Sequence, residues 1–251
     1  MSTRAPKKTR NIPCEECPLC ASEAFRDFEG GELSYISGFK RGELVAEAGS
    51  AIFVEGSNSP HLYTVISGWG FRYMTLEDGR RQILNYALPG DFLGLQGSLL
   101  DEMSHSVEAL SDMVLCVFER DRLFELFKAQ PALGFDITWL GAREEQMLDE
   151  HLLSIGRRSA LERAAYLLAF LHQRANLVGL FNQTNVITPL TQQHVADTLG
   201  LSLVHTNKTL KKLQNRGIIS WKDTGFAILD IDTLKHIASW DGLPDLKRPF
   251  I

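Results

Sequence analysis

Thr191-Gln-Gln-His-Val-Ala-Asp-Thr-Leu-Gly200-Leu-Ser202 is the stretch that decides the fold. Thr191 and Ser202 are both good helix N-caps, because a hydroxyl oxygen accepts one of the backbone N–H groups that a helix start leaves open. Small Ala196 lets two helices approach, and Gly200 permits the left-handed turn between them. The stretch predicts a helix-turn-helix whose second helix runs from Leu203 to Arg216. That helix carries Lys208, Lys211, Lys212 and Arg216, with no acidic residue from Ser202 to Arg216. His205, Asn207 and Lys208 fall in its first two turns, where a recognition helix presents side chains to major-groove edges. Lysine can bond guanine acceptors and asparagine can pair with adenine, whereas the later basic residues suit phosphates. Ile218 to Leu229, with Asp223-Thr-Gly225 at its middle, reads as a two-stranded wing.

The basic stripe stands out against the rest of the chain. Its 251 residues hold 26 Lys plus Arg and 31 Asp plus Glu, a formal charge of −5, so nucleic acid is not bound by bulk charge alone. With 44% apolar and 23% charged residues, the composition is that of an ordinary soluble chain with room for two cores. No run approaches the ~18 apolar residues that span a bilayer, and the first ten residues lack the apolar segment of a signal peptide. The expectation is a cytoplasmic protein with no membrane partner.

Moving toward the N-terminus, Ser159 to about Ala175 reads as an Ala- and Leu-rich helix, followed by a polar loop through Asn182-Gln183-Thr184-Asn185. Before it, Leu133, Ile137, Leu140, Glu144, Met147 and His151 step by four and three residues, one seam of a long helix ending before Gly156. Leu148, Leu152 and Ile155 form a second apolar edge. A parallel coiled-coil dimer through Ile137, Leu140, Glu144, Met147 and His151 would cover the seam; packing onto the chain's own N-terminal half is the alternative. Arg157-Arg158 suits the helix C-terminus.

Earlier still, from about Glu43 to Phe118, short apolar runs are broken by Gly56, Gly68, Gly79 and Gly90, which are 12, 11 and 11 residues apart. This is the rhythm of antiparallel strands joined by tight turns, with Asp78-Gly79 the strongest hairpin signal. It predicts a jelly roll of about eight strands, its interior either solid or enclosing a small ligand. Turn geometry accounts for each of these glycines; Gly94 is set apart.

Three of the four cysteines crowd into Cys14-Glu-Glu-Cys17-Pro-Leu-Cys20, and the fourth is Cys116. Soft thiolates at this spacing suit an iron–sulfur cluster, and a structural zinc would accept the same four ligands. The alternative is a buried, inert Cys116 and a thiol-rich tail. The division expected is an arm over 1–24, a β-roll sensor over 25–130, a dimerisation helix over 131–156, a winged helix-turn-helix over 157–240 and a tail over 241–251.

This order of parts resembles the Crp/Fnr family of bacterial transcription regulators over roughly residues 25–235. The resemblance rests on Gly90-Asp-Phe-Leu-Gly94, on Arg157-Arg-Ser-Ala-Leu-Glu-Arg163 and on Leu190 to Ser202. It implies an α+β fold: a cyclic-nucleotide-binding-type β-roll, a long dimerisation helix and a C-terminal winged helix-turn-helix. It also implies a homodimer on a palindromic operator, RNA polymerase as a further partner, and no enzymatic activity. Cyclic-AMP-binding members carry a glutamate and an arginine-serine pair where this chain has Leu95 and His105-Ser106, so tight cyclic AMP binding is not expected. The Fnr branch holds a [4Fe-4S] cluster with three N-terminal cysteines and one in the roll, which places Cys14, Cys17, Cys20 and Cys116 as ligands under a redox or oxygen signal. Control by abundance alone, without an effector, is a second reading. Fnr-like members have a glutamate and a serine-arginine pair where this chain has Val204 and Asn207-Lys208, so their operator does not carry over to it. His61 and His105 are too few for a metal cupin, though either could serve a haem-based gas sensor as axial ligand.

Overall fold

The computed structural model describes residues 12–180, 188–222, 225–244 and 246–251. The polar loop at 182–185, Asp223 and Thr224 of the wing, and the basic first ten residues lie outside them. Eight strands span Lys40 to Glu119: β1 Lys40–Ala46, β2 Ala51–Phe53, β3 His61–Ser67, β4 Gly70–Thr75, β5 Arg81–Ala87, β6 Phe92–Leu93, β7 Ser106–Ala109 and β8 Met113–Glu119. They form two four-stranded sheets, ordered β1-β8-β3-β6 and β2-β7-β4-β5, with antiparallel pairing throughout. The glycine rhythm marks their turns: Gly56, Gly68, Gly79 and Gly90 all have φ between 75° and 92°. Gly90 is held to glycine twice over, since a Cβ there would run into the Phe25 ring and the Arg248 guanidinium.

Short helices α1 (Glu32–Phe39), α2 (Leu95–Leu100) and α3 (Leu123–Ala129) flank the roll. The long helix α4, Pro131–Arg157, starts with proline in its first turn, where the missing N–H costs nothing. It lies within a residue or so of the expected span, but its seam points the other way. Leu133, Ile137, Met147 and His151 are buried inside their own protomer, and Leu140 is half-buried against the same apolar cluster. Ile137 packs among Phe118, Leu126 and Leu133, and Met147 among the residues of the next helix. Glu144 turns inward to bond Arg72 and Asn85. The five residues expected to meet a second subunit are therefore taken by intrachain packing, because the roll and the following helix offer both apolar and polar partners to that face.

That following helix, α5 (Ala160–Leu177), opens with a capping box in which Ser159 and Glu162 bond each other's backbone N–H. Residues 164–171 are all buried, making α5 the centre of the larger core. Helices α6 (Gln192–Leu199) and α7 (Leu203–Asn215), the antiparallel hairpin β9 (Ile219–Lys222) and β10 (Gly225–Ile228), and α8 (Ile231–Ala238) complete the C-terminal half. The last residues return to the N-terminal half. Arg248 bridges to Phe25: its carbonyl oxygen accepts from Arg26 N and its N–H donates to Ala24 O, both at 3.0 Å, and Phe250 and Ile251 are buried there.

Candidate nucleic-acid interface and cysteine cluster

Each cap expected from the sequence forms. Thr191 Oγ1 accepts from His194 N at 3.2 Å, His194 Nδ1 accepts from Thr191 N at 3.2 Å, and Ser202 Oγ accepts from His205 N at 3.3 Å. Gly200 between them sits at φ 64°. Thr191 and Ser202 thus shape the motif through their caps. Helix α7 buries Thr206, Thr209, Leu210 and Leu213 against the domain, which turns His205, Lys208, Lys211, Lys212 and Arg216 out to solvent. Asn207 is half-buried, with its Oδ1 buried and unbonded among the described residues. Val204, 66% exposed at the start of α7, is an apolar side chain placed beside the cations. Apolar contacts of this kind suit a thymine methyl group.

Helix α6 faces the roll. Arg81 of β5 pairs with Asp197 at 2.8 Å, Gln82 donates to Thr198 O at 2.9 Å, and Tyr86 shares a 2.8 Å hydrogen bond with Thr198 Oγ1. Arg163 of α5 donates to Leu199 O of α6 and, through its Nε, to Arg158 O, while Arg158 between α4 and α5 donates to Ala238 O of α8, so these basic residues tie the helices together.

The arm folds back over the roll near the start of α4, where Arg26 bonds Glu32 and Asp136. Cys14 shares an apolar cluster with Cys116, Phe39, Leu62 and Ile251, while Cys17 and Cys20 flank Leu19, Phe25 and Phe250. Burial pushes the Cys116 thiol up to about 12 and raises Cys14 as well. Cys17 is lowered to about 6 by a hydrogen bond from Cys20, whose own thiol is raised in return. Lys40 favours the thiolates of Cys14, Cys17 and Cys116, and is anchored by Glu43 at 2.8 Å and Ile12 O at 2.6 Å. Among the described residues no three His, Cys, Asp or Glu side chains converge on one metal position.

Between the roll and α4 lies a cavity of about 440 Å³, lined in part by Arg72, Gly94, Leu95, His105, Glu144 and Leu148. Arg72 Nε donates to His105 Nε2 at 3.1 Å, and the Arg72 guanidinium pairs with Glu144 of α4. Burial and the adjacent Arg72 push His105 down to about 3, so it is neutral. Ser106 Oγ accepts from Glu55 N at 3.0 Å. Arg72, on β4, was absent from the sequence-based candidates; nothing in its local spacing marks it.

A family model described as a cyclic nucleotide-binding domain matches residues 43–130, and one described as a Crp-like helix-turn-helix domain matches residues 162–237. The nitrogen fixation regulation protein FixK of Bradyrhizobium diazoefficiens is 30% identical over 228 residues, covering 90% of this chain and 94% of FixK. The chain belongs to the Crp/Fnr family. Another relative, the transcriptional activator protein FnrL of Cereibacter sphaeroides, is 28% identical over 218 residues, 82% of this chain and 84% of FnrL. The solved structure of FixK2 from Bradyrhizobium japonicum has the same fold, with a TM-score of 0.67 at 24% identity over 78% of this chain and 96% of that one. This Crp/Fnr chain is a DNA-binding transcription regulator, and among its described residues no helix is long and apolar enough to cross a membrane.

Proposed function

We propose that the protein regulates transcription as a homodimer that reads a palindromic operator through α7, with the cysteine-bearing arm as its sensor. The observation that carries this reading is the outward face of α7: five exposed basic or imidazole side chains with no carboxylate among them, on a helix capped at its start. His205, Asn207 and Lys208, with Val204, take the base edges; Lys211, Lys212 and Arg216 take phosphates. Two copies would enter successive major grooves about 34 Å apart, and RNA polymerase is the partner through which binding acts on transcription. With the first seam buried, the outer stripe of α4 is the one left for a second subunit. Phe135, Thr138, Ala142, Glu145, Asp149 and Leu152 are all exposed and step by three and four residues, with Phe135 and Leu152 at about 70% exposure.

Cys14, Cys17, Cys20 and Cys116 would hold a [4Fe-4S] cluster. The donor set fits in its chemistry: four thiols, a Cys17 already inclined to the thiolate, and Lys40 placed to favour negative sulfur. Bound there, the cluster supplies a centre that oxygen degrades. The chain's own part is mechanical: Cys116 sits on β8, and the arm that carries the other three is tied by Arg26 to Asp136 of α4. A change in the arm's position therefore bears on the helix that presents the dimer stripe. In the roll cavity Leu95 offers no carboxylate, and Glu144 already neutralises Arg72, which disfavours cyclic AMP. His105 Nε2 is engaged by Arg72, which disfavours haem.

The test of DNA reading is selection of an operator from random duplexes, followed by binding to single-base variants. Lys208→Ala should relax preference at one base pair of each half-site; unchanged discrimination would remove Lys208 from the base-reading set. For the sensor, anaerobic protein should be brown, with iron and sulfide near four per subunit, and Cys116→Ala should abolish colour and oxygen response together. Iron near zero after reconstitution would eliminate the cluster and leave the DNA-binding reading standing.

A further inference from the structure

A second cavity, of about 350 Å³, lies outside the roll where α4, α5, the arm and the C-terminal segment meet. Its lining is chemically lopsided. Arg143, Arg174, Lys247 and Arg248 all reach it, and Glu23, exposed at the rim, is the one carboxylate among the described lining residues. Behind the wall a single carboxylate, Asp91, serves two of these cations: Arg174 at 2.6 Å and Arg248 at 2.8 Å. Arg248 Nε is buried with no hydrogen-bond partner among the described residues. Arg143 has only the amide oxygen of Gln146 and no carboxylate within ion-pair distance among them. Burial, with Arg174 and Arg248 close by, holds Arg143 below its ordinary range. The opposite walls are apolar, formed by Trp139, Leu177, Val178 and Leu246. An adjoining hollow of about 240 Å³ shares Arg143 and contains Glu150, but that carboxylate is turned to Arg158.

We propose that this cavity binds a small organic anion, a carboxylate or phosphate ester on an apolar body, with its head at Arg143 and Arg248. The excess of positive charge calls for an anion, and the size and apolar walls call for a body of about eight to twelve heavy atoms rather than a bare inorganic ion. Lys247 stands at the rim, where an exposed cation draws an anion in. Such a ligand would touch α4, α5 and the C-terminal segment at once, so its presence would bear on how the DNA-binding half sits against the roll.

Calorimetric titration of the full chain with octanoate and with octyl phosphate tests this, with octanol and acetate as the arms lacking charge or chain. One or both anions should bind saturably at one site per chain, and octanol and acetate at least tenfold more weakly. Which anion prevails assigns the head group. Arg143→Gln should weaken anion binding at least tenfold. Because Arg143 also borders the roll cavity, Leu177→Glu is the deciding variant: it alters only the outer cavity, at a side chain already 38% exposed, and should abolish binding with unchanged circular dichroism and melting temperature. Equal binding of octanoate and octanol, full binding by either variant, or no saturable binding of either anion below millimolar would overturn the proposal.

Discussion

The helix-turn-helix and the junction beneath it are built by opposite means. In the former, the caps, turn and buried face are fixed by residues three or four positions apart: Thr191 with His194, Ser202 with His205, Gly200 between them. In the latter, Asp91 joins Arg174, 83 residues away, and Arg248, 157 away, while Thr64 donates to Ile251 O across 187. The first is a surface built to meet something else; the second is a polar knot in the interior, where each charge depends on a partner. A local motif tolerates change one residue at a time, whereas the knot is all or nothing.

The sharpest way to break that contrast is Asp91→Asn. It leaves two buried guanidinium groups facing one another, and removing one partner of a buried ion pair costs about 3–5 kcal/mol. Urea unfolding of the variant should show a loss of that size; a loss under 1 kcal/mol would mean that the knot is wetter than its geometry indicates. Acid probes the same interior. His105 and His151 are both pushed down to about 3 by burial, helped by Arg72 and by Arg174 respectively. The unfolded chain takes up these protons below its ordinary value of 6.5, while the folded chain does not until far lower, so stability falls as pH drops from 6.5 toward 3. By linkage, about 3 kcal/mol should be lost at pH 5.5 for the two together. His151→Gln should halve the pH slope.

The two stripes of α4 separate the interior from the interface. Leu152→Glu should raise the dimer dissociation constant about a hundredfold and leave a folded monomer, read by sedimentation. Met147→Glu, buried beside α5, should instead lower the melting temperature; a folded monomer from this variant would return the seam to its inner face. The smallest effect belongs to the exposed motif. Lys212→Ala should weaken every duplex alike, by about 1 kcal/mol, and reduce the salt slope by about one unit per half-site.

The same division explains what the sequence could disclose. Strand rhythm, the helix expected over residues 131–156 and both caps are periodic or short-range signals; the strands and caps form where expected and the helix runs one residue further, to Arg157. The facing of α4 was not legible, because a four-and-three pattern reveals an apolar stripe without saying what covers it. Glu144 and His151 fit the seam for a reason that period cannot encode: Arg72, Asn85 and Tyr166 wait for them across the interface with the roll and α5. Arg72 itself escaped notice because its partner lies 72 residues away. The cysteines were legible as a set, but their neighbours were not: Ile251 beside Cys14 and Cys116, and Phe250 beside Cys17 and Cys20, come from the far end of the chain.

The docking of α6 on β5 limits how this regulator can be recombined. Arg81, Gln82 and Tyr86 belong to the roll, yet their partners Asp197 and Thr198 lie within the first helix of the reading head. A chimera that grafts residues 159–240 onto another roll would carry one half of a lock and leave the other behind. The reading head is thus not an exchangeable cassette, and any hybrid of altered operator preference built from this chain must bring β5 along with the helices it supports.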